Sequence, residues 1–498
     1  MQYQSTRGAG EVVSAQRAIV QGLAKDGGLF VPLTIPKIDS AFIESLIGMD
    51  YLQRARCVLS PWLPDFSADE LAKLIAGAYQ NSFDTDEIAP VVKVKDGLFM
   101  LELWHGPTLA FKDMALQLMP HLLSASRDKV DERREILILV ATSGDTGKAA
   151  LEGFCDVPGV SIVVFYPDGG VSEAQRLQMV TQKGDNTHVV AVKGNFDDAQ
   201  TGVKHIFSDA EYQQMLNEQG IVLSSANSIN LGRLLPQVVY YFSAYADLCK
   251  QGALKPGDPL DVCVPTGNFG NILAAAYAKE MGLPLRKLIC ASNSNNVLAD
   301  FLETGIYDRR RDFHLTTSPS MDILISSNLE RMLHHLLNGD ADQVKSMMAD
   351  LRDKGCYQLP EEALSKLKDL MPGGWASEEQ VAAQIAKTFN EDHYLMDPHT
   401  AVAVCVLEQW QKDHRDSVPA IVASTASPYK FGRAVLEAVT GEAVALSDFD
   451  CCDQLAKLSN QQVPNAISEL PKLTVRHGDV CEISAMPDAV IRAMNLER

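Results

Sequence analysis

The 498 residues predict an α/β fold with mostly parallel sheets, behind a mainly helical N-terminal domain. Three observations predict it. Short, continuous apolar runs recur from about Val91 onward, each bounded by turn residues. Helical patterns follow several of these runs. Before Val91, helix signals dominate. Continuous runs suit strands covered on both faces, as in parallel sheets joined by helical crossovers.

The elements follow in order. Ser14 precedes a helical pattern through Ala18, Ile19 and Leu23 that stops at Gly27-Gly28. Ser67 and Glu70 make a capping box, and Leu71, Leu74, Ile75 and Ala78 then mark one helical face. Residues 1–90 therefore read as one mostly helical domain. The strand candidates are ILILVA (136–141), VSIVVF (160–165), HVVAV (188–192), VCV (262–264), KLICA (287–291) and AIVAS around Ile421. They place an α/β core in residues 91–450 and leave 451–498 as a C-terminal extension packing on it. Irregular boundaries are expected near Pro90, Lys255-Pro256-Gly257 and Pro372-Gly373-Gly374.

Composition excludes several function classes. The 44 basic and 64 acidic residues leave a net charge of -20, which argues against nucleic acid or anionic membrane as a partner. A small anionic substrate would need a local cationic pocket. The ten cysteines show no CxxC pair and no metal-ligand spacing, so free thiols and no metal are expected. Arg7, Glu11 and Arg17 interrupt any signal-like apolar region, and no run reaches membrane-spanning length. A cytoplasmic protein is the expectation, as monomer or dimer.

Ligands of open parallel sheets bind beyond the carboxyl ends of the strands. The loops there are TSGDTGKAA (142–150), PTGNFGN (265–271), SNSNNVL (292–298) and TASPYKFG (425–432). In PTGNFGN, Gly267 and Gly270 allow a tight turn, positive φ and close approach to a ligand. With the helix that follows from Ile272 they form an anion site suited to phosphate. A GxxG alone also fits a plain turn. TSGDTGK is no nucleotide P-loop, because Thr142 stands where that pattern has glycine and Ala149 where it has Ser or Thr. Thr142, Ser143 and Thr146 are small hydroxyl donors at a helix start, where a substrate carboxylate could sit; a simple helix cap is the alternative.

Two further stretches carry chemistry. HGPTLAFKDMALQ (105–117) presents Lys112 between the turn Gly106-Pro107-Thr108 and a helical pattern. A lysine so placed is an amine nucleophile if its surroundings favour the neutral form; otherwise it is a solvated helix lysine. In SSANSINLGRLLPQ (224–237), Ser228, Asn230 and Arg233 could converge before a helix. Arg233 offers a planar fork for phosphate, with a helix-start salt bridge as the alternative.

HGPTLAFKD, TSGDTG, PTGNFGN and STASP, in this order, resemble the fold-type II pyridoxal-phosphate enzymes. More closely, the chain resembles the longer form of threonine synthase of many bacteria and fungi. The likeness includes YQSTRG (3–8), GLAKDGGLFVP (22–32), NFDDAQ (195–200), TSPSMDILISSNLERML (317–333) and DPHTAVAV (397–404). It implies a two-lobed core binding pyridoxal 5'-phosphate. Lys112 would be the Schiff-base lysine and the catalytic residue. Gly267, Asn268, Phe269, Gly270 and Asn271 would hold the cofactor phosphate. Thr425, or neighbouring Ser424, would meet the pyridine nitrogen. Thr142, Ser143, Asp145 and Thr146 would meet the substrate carboxylate, and Ser228 with Arg233 its phosphate. Asp145 stands where many fold-type II enzymes have asparagine, and Ser427 where histidine is expected.

The activity so implied is conversion of O-phospho-L-homoserine and water to L-threonine and phosphate, the last step of threonine biosynthesis. A lyase giving a ketoacid and ammonia is the alternative within the fold. A non-catalytic phosphate or nucleotide binder is the alternative outside it, and Lys112 weighs against that.

Overall fold

The computed structural model describes residues 1–142, 144–415 and 417–496, apart from the side chain of Asp197. Two sheets form its frame. The first runs Gly373–Trp375, Leu285–Ser292, Leu260–Pro265, Ala420–Ser424, Leu98–Glu102 and Val91–Lys95 in spatial order. All neighbours are parallel except the last two. The second runs Asp479–Glu482, Thr187–Lys193, Val160–Pro167, Glu135–Ala141 and Ile221–Ser224, parallel throughout. Every residue of Val160–Pro167 is buried, which is why it reads as an unbroken apolar run. Along Glu135–Ala141 the side chains alternate between two cores. Ile136, Ile138 and Val140 join the large one, and Leu137 and Leu139 a smaller one with Val490 and Met486.

All six expected runs are strands. In these two sheets, five strands were not anticipated. Val91–Lys95, Leu98–Glu102 and Ile221–Ser224 are four or five residues long, too short to separate from a helix by pattern. The expected irregular boundary at Pro372-Gly373-Gly374 is instead an edge strand paired with Cys290–Ser292. A Cβ on Gly373 or Gly374 would lie 2.8 Å from Leu302 or 2.7 Å from Val406, so only glycine packs there. Asp479–Glu482 extends the second sheet from the C-terminal segment.

The N-terminal region is mainly helical: Ala15–Gln21, Ser40–Leu46, Tyr51–Leu59 and Ala68–Tyr79, the last with the Ser67–Glu70 capping box. It also contains an antiparallel sheet of Val13–Ser14, Gln2–Ser5 and Phe30–Pro32, which the sequence reading lacked. These strands hold two to four residues each, too few for alternation to show. Arg7 anchors this sheet to Glu330 at 2.8 Å. No helix among the described residues is long and apolar enough to cross a membrane.

Candidate active site

The carboxyl ends of five strands converge on one cavity of about 750 Å³. Lys112 follows Leu98–Glu102, Thr142 follows Glu135–Ala141, and Ser228 and Arg233 follow Ile221–Ser224. Gly267–Asn271 follow Leu260–Pro265, and Thr425 follows Ala420–Ser424. The cavity is also lined by Asp145 and Thr146. Every expected site residue that the structure describes is thus brought together. Ser143 lies outside the described residues.

The lysine loop is held by its own side chains. Asp113 accepts from the Thr108 amide at 2.8 Å and the Thr108 hydroxyl at 2.6 Å. Burial pushes the Asp113 carboxyl up to about 6, against those two bonds. A Cβ on Gly106 would lie 2.5 Å from Asp113, so glycine is required for this closure. The Phe111 amide donates to the Thr425 carbonyl at 2.8 Å, tying the loop to the opposite side of the site. Lys112 is 7% exposed, in the turn before the short helix Asp113–Leu116. Its Nζ lies 3.0 Å from Ser320 Oγ and 3.5 Å from Asp145 Oδ2. Burial, with help from Lys430 and Arg233, pulls the ammonium down to about 8 despite the opposing pull of Asp145. The alternative of a solvated helix lysine is overturned.

The Gly-rich loop differs from expectation in one respect. Neither Gly267 nor Gly270 has positive φ; Phe269 does, at 64°. The glycines serve close approach instead. A Cβ on Gly267 would lie 2.7 Å from the Ser320 carbonyl, and one on Gly270 3.2 Å from Ser228 Cβ. The helix Gly270–Met281 starts here with no side-chain cap bond, so its first N–H groups are open to an anion. The buried Asn271 amide Nδ2 has no hydrogen-bond partner among the described residues, while its Oδ1 accepts from Tyr241. An amine, a helix N-terminus and an orphaned donor around one cavity fit a phosphorylated aldehyde such as pyridoxal phosphate. Thr425 lines the cavity. Ser424 is not among the lining residues; its hydroxyl accepts from Trp104 at 3.1 Å and meets Thr400 at 3.2 Å.

Arg233 is 6% exposed, and burial lowers its guanidinium to about 10. Its Nη1 donates to the Ala226 carbonyl at 2.8 Å, and no carboxylate pairs with it among the described residues. The helix-start salt bridge is therefore not what the structure shows. Ser228 accepts from Asn328 at 2.8 Å beside Gly270. Asn230 turns away to cap the helix Leu231–Leu234 and bonds Ile19. Thr142 Oγ1 accepts from the amides of Gly144 and Gly147, shaping the loop, and leaves its proton free to donate.

Asp145 lines the cavity beside Thr142 and Thr146. Burial alone would raise its carboxyl, but Lys430 and Lys112 outweigh this and hold it well below the usual range. An anionic side chain offers no donor to another anion, so any contact of Asp145 with a substrate carboxylate would fall to its backbone amide at the helix start. Its oxygens are taken by Lys430 at 3.0 Å, Gln175 at 3.2 Å and Ser320 at 3.3 Å.

Four residues of the site were not singled out from sequence: Ser320, Lys430, His399 and Gln175. The first three lie inside stretches already noted (TSPSMDI, TASPYKFG, DPHTAVAV). His399 accepts the Ser320 amide at 3.2 Å on Nε2 and bonds Asp397 through Nδ1 at 2.7 Å. The SNSNNVL loop does not line the cavity. Asn293 and Asn295 instead reach Asp322 at 2.8 and 2.9 Å and brace the loop that carries Ser320.

Comparison with known proteins agrees with this geometry. The family model described as threonine synthase N terminus matches residues 2–79. The one described as pyridoxal-phosphate dependent enzyme matches 86–427, and threonine synthase, C-terminal, matches 400–479. The chain is 46% identical over 432 residues to threonine synthase-like 1 of Macaca fascicularis, covering 85% of this chain and 57% of that protein's length. It is 37% identical to threonine synthase of Pseudomonas aeruginosa, over 96% of this chain and 99% of the other. The crystal structure of PLP-bound threonine synthase from Brucella melitensis superposes with a TM-score of 0.88 at 36% identity, over 99% of each chain. The chain belongs to the threonine synthase family of pyridoxal-phosphate-dependent enzymes.

Proposed function

We propose that the chain is a threonine synthase, converting O-phospho-L-homoserine and water to L-threonine and phosphate. The observation that carries this is Arg233. It is a buried arginine without a carboxylate partner among the described residues, in the same cavity as an amine and an open helix N-terminus. Such a cavity has cationic character for two phosphates, one of a cofactor and one of a substrate, inside a protein of net charge -20.

Lys112, Gly267–Asn271 and Thr425 would hold pyridoxal phosphate. When bound, that group supplies an electron sink beside the substrate Cα. Lys112 Nζ would take the proton from Cα and then from Cβ, one proton would return at Cγ after phosphate has left, and another at Cα after water has added at Cβ. An amine brought to about 8 can both accept and donate near neutral pH. Thr142 and Thr146 would donate to the amino-acid carboxylate, with Ser143 as the third hydroxyl of that loop. Arg233 and Ser228 would fix the phosphate so that Cγ faces the amine. Ten free cysteines accord with a reducing compartment such as the cytoplasm.

A second reading is a phospho-lyase releasing a ketoacid and ammonia; the name of the 46%-identical relatives, threonine synthase-like 1, states neither activity. The chain covers only 57% of their length but 99% of the Pseudomonas threonine synthase, so the synthase reading stands first. Product analysis on phosphohomoserine separates the two.

A further inference from the structure

The proton transfers described above make no use of Lys430, yet it is the most tightly enclosed cation at the site. Its Nζ lies 3.0 Å from Asp145 Oδ1, with the two side chains 1% and 6% exposed. The same ammonium donates to the Thr108 carbonyl at 2.7 Å. It stands in the turn Pro428–Phe431, six residues beyond the strand end at Ser424. The other oxygen of Asp145 faces Lys112 Nζ at 3.5 Å and Ser320 Oγ at 3.3 Å. One buried carboxylate thus has an ammonium on each side.

Two ammoniums and one carboxylate leave a surplus positive charge in a desolvated pocket, and the surplus falls on the more weakly paired group. Lys430 has the shorter contact and a second acceptor in Thr108. Lys112 has the longer contact and Arg233 nearby. We propose that Lys430 is a positioning residue whose charge answers that of Asp145, leaving Asp145 to hold Ser320 and Lys112 by hydrogen bonding while Lys112 remains available as a neutral amine. The proposal rests on the reading of Lys112 as the amine that takes the cofactor.

The groups facing this pair come from several elements. They are Asp145 of Asp145–Phe154, Arg233 of Leu231–Leu234, His399 of Pro398–His414, and Asp113, which also lies in the field of Lys430. Removing Lys430 leaves Asp145 with Lys112 as its one close ammonium. Lys112 then holds its proton more tightly. Removing the carboxylate as well cancels the effect.

The test follows capture of pyridoxal phosphate by cofactor-free protein across pH, with borohydride fixation and mass analysis of the peptide carrying Lys112. The capture rate reports the neutral fraction of Lys112. In the parent it should rise with pH and level off above about 8. Lys430→Met should move that midpoint up by about 1–3 units. The double variant Asp145→Asn with Lys430→Met should return it to the parent's position. A Lys430→Met profile overlying the parent's overturns the proposal, and so does a double variant that stays with the single one. If Lys430→Met does not fold, the double variant must, because its unpaired buried carboxylate is gone; failure of both also overturns it. A parent that captures no cofactor at any pH contradicts the cofactor reading instead.

Discussion

Lys112 and Ser320 meet at 3.0 Å from opposite walls of the cavity, although 208 residues separate them in the chain. The contact is braced from behind. His399 accepts the Ser320 amide, Asp397 orients His399, and Asn293 and Asn295 hold Asp322 nearby. The amine is therefore fixed by tertiary structure and not by its own helix alone.

Lys112→Ala should abolish the visible absorbance band that pyridoxal phosphate gives the purified protein, and lower turnover by several orders of magnitude. Its fold should persist, since removing a desolvated ammonium relieves a cost. Absorbance spectra and a melting curve on one preparation check both parts. A variant keeping the band would remove Lys112 from its role.

Gly267→Ala places a Cβ 2.7 Å from the Ser320 carbonyl. The clash is with backbone, so the Ser320 loop must shift away from Lys112, at a cost of about 1–3 kcal/mol. Cofactor affinity should weaken by roughly 5- to 150-fold, since about 1.4 kcal/mol is tenfold. Titration of the apoprotein with pyridoxal phosphate measures it, and unchanged affinity would show that the loop tolerates the methyl group.

Much of this was legible in the sequence because chemistry and turn signals coincide. Lys112, Gly267–Asn271 and Thr425 sit in short motifs whose residue types are restricted by close approach or by reactivity. The six apolar runs were legible because strands buried on both faces carry few polar positions. Lys430 was not, although its loop was noted. A lysine between Tyr429 and Phe431 reads as a surface residue, and only the distant Asp145 and Thr108 explain its burial. The positive φ at Phe269 was equally hidden, since the neighbouring glycines draw the expectation to themselves.

Arg233→Ala should lower kcat/KM for phosphohomoserine by roughly 10- to 150-fold, as a hydrogen bond to a charged group contributes about 1.5–3 kcal/mol. The absorbance band should remain, because the residue serves the substrate. Inhibition by free phosphate should weaken in parallel. Parental kcat/KM with a lowered melting temperature would assign Arg233 only to its bond with Ala226.

His105 gives a pH-dependent prediction. Its ring bonds Asp84 at 2.6 Å and Glu102 at 2.9 Å, anchoring the start of the lysine loop. Burial opposes its charge, but the two carboxylates outweigh burial and raise it from 6.5 to about 9. A raised folded value means stabilisation that is full below 6.5 and lost as pH rises through about 9. His105→Gln should therefore be less stable than the parent by up to about 2 kcal/mol at low pH, a gap that closes in alkali. Denaturant titrations on both sides of that window test it; a gap independent of pH would contradict the charged pairing.

The most direct measurement is product stoichiometry. Purified holoenzyme is given O-phospho-L-homoserine, and inorganic phosphate, L-threonine, ammonia and ketoacid are quantified in the same reaction. Threonine equal to phosphate, with neither ammonia nor ketoacid, is the predicted result. Phosphate matched by ammonia and ketoacid, or no phosphate release at all, would contradict it.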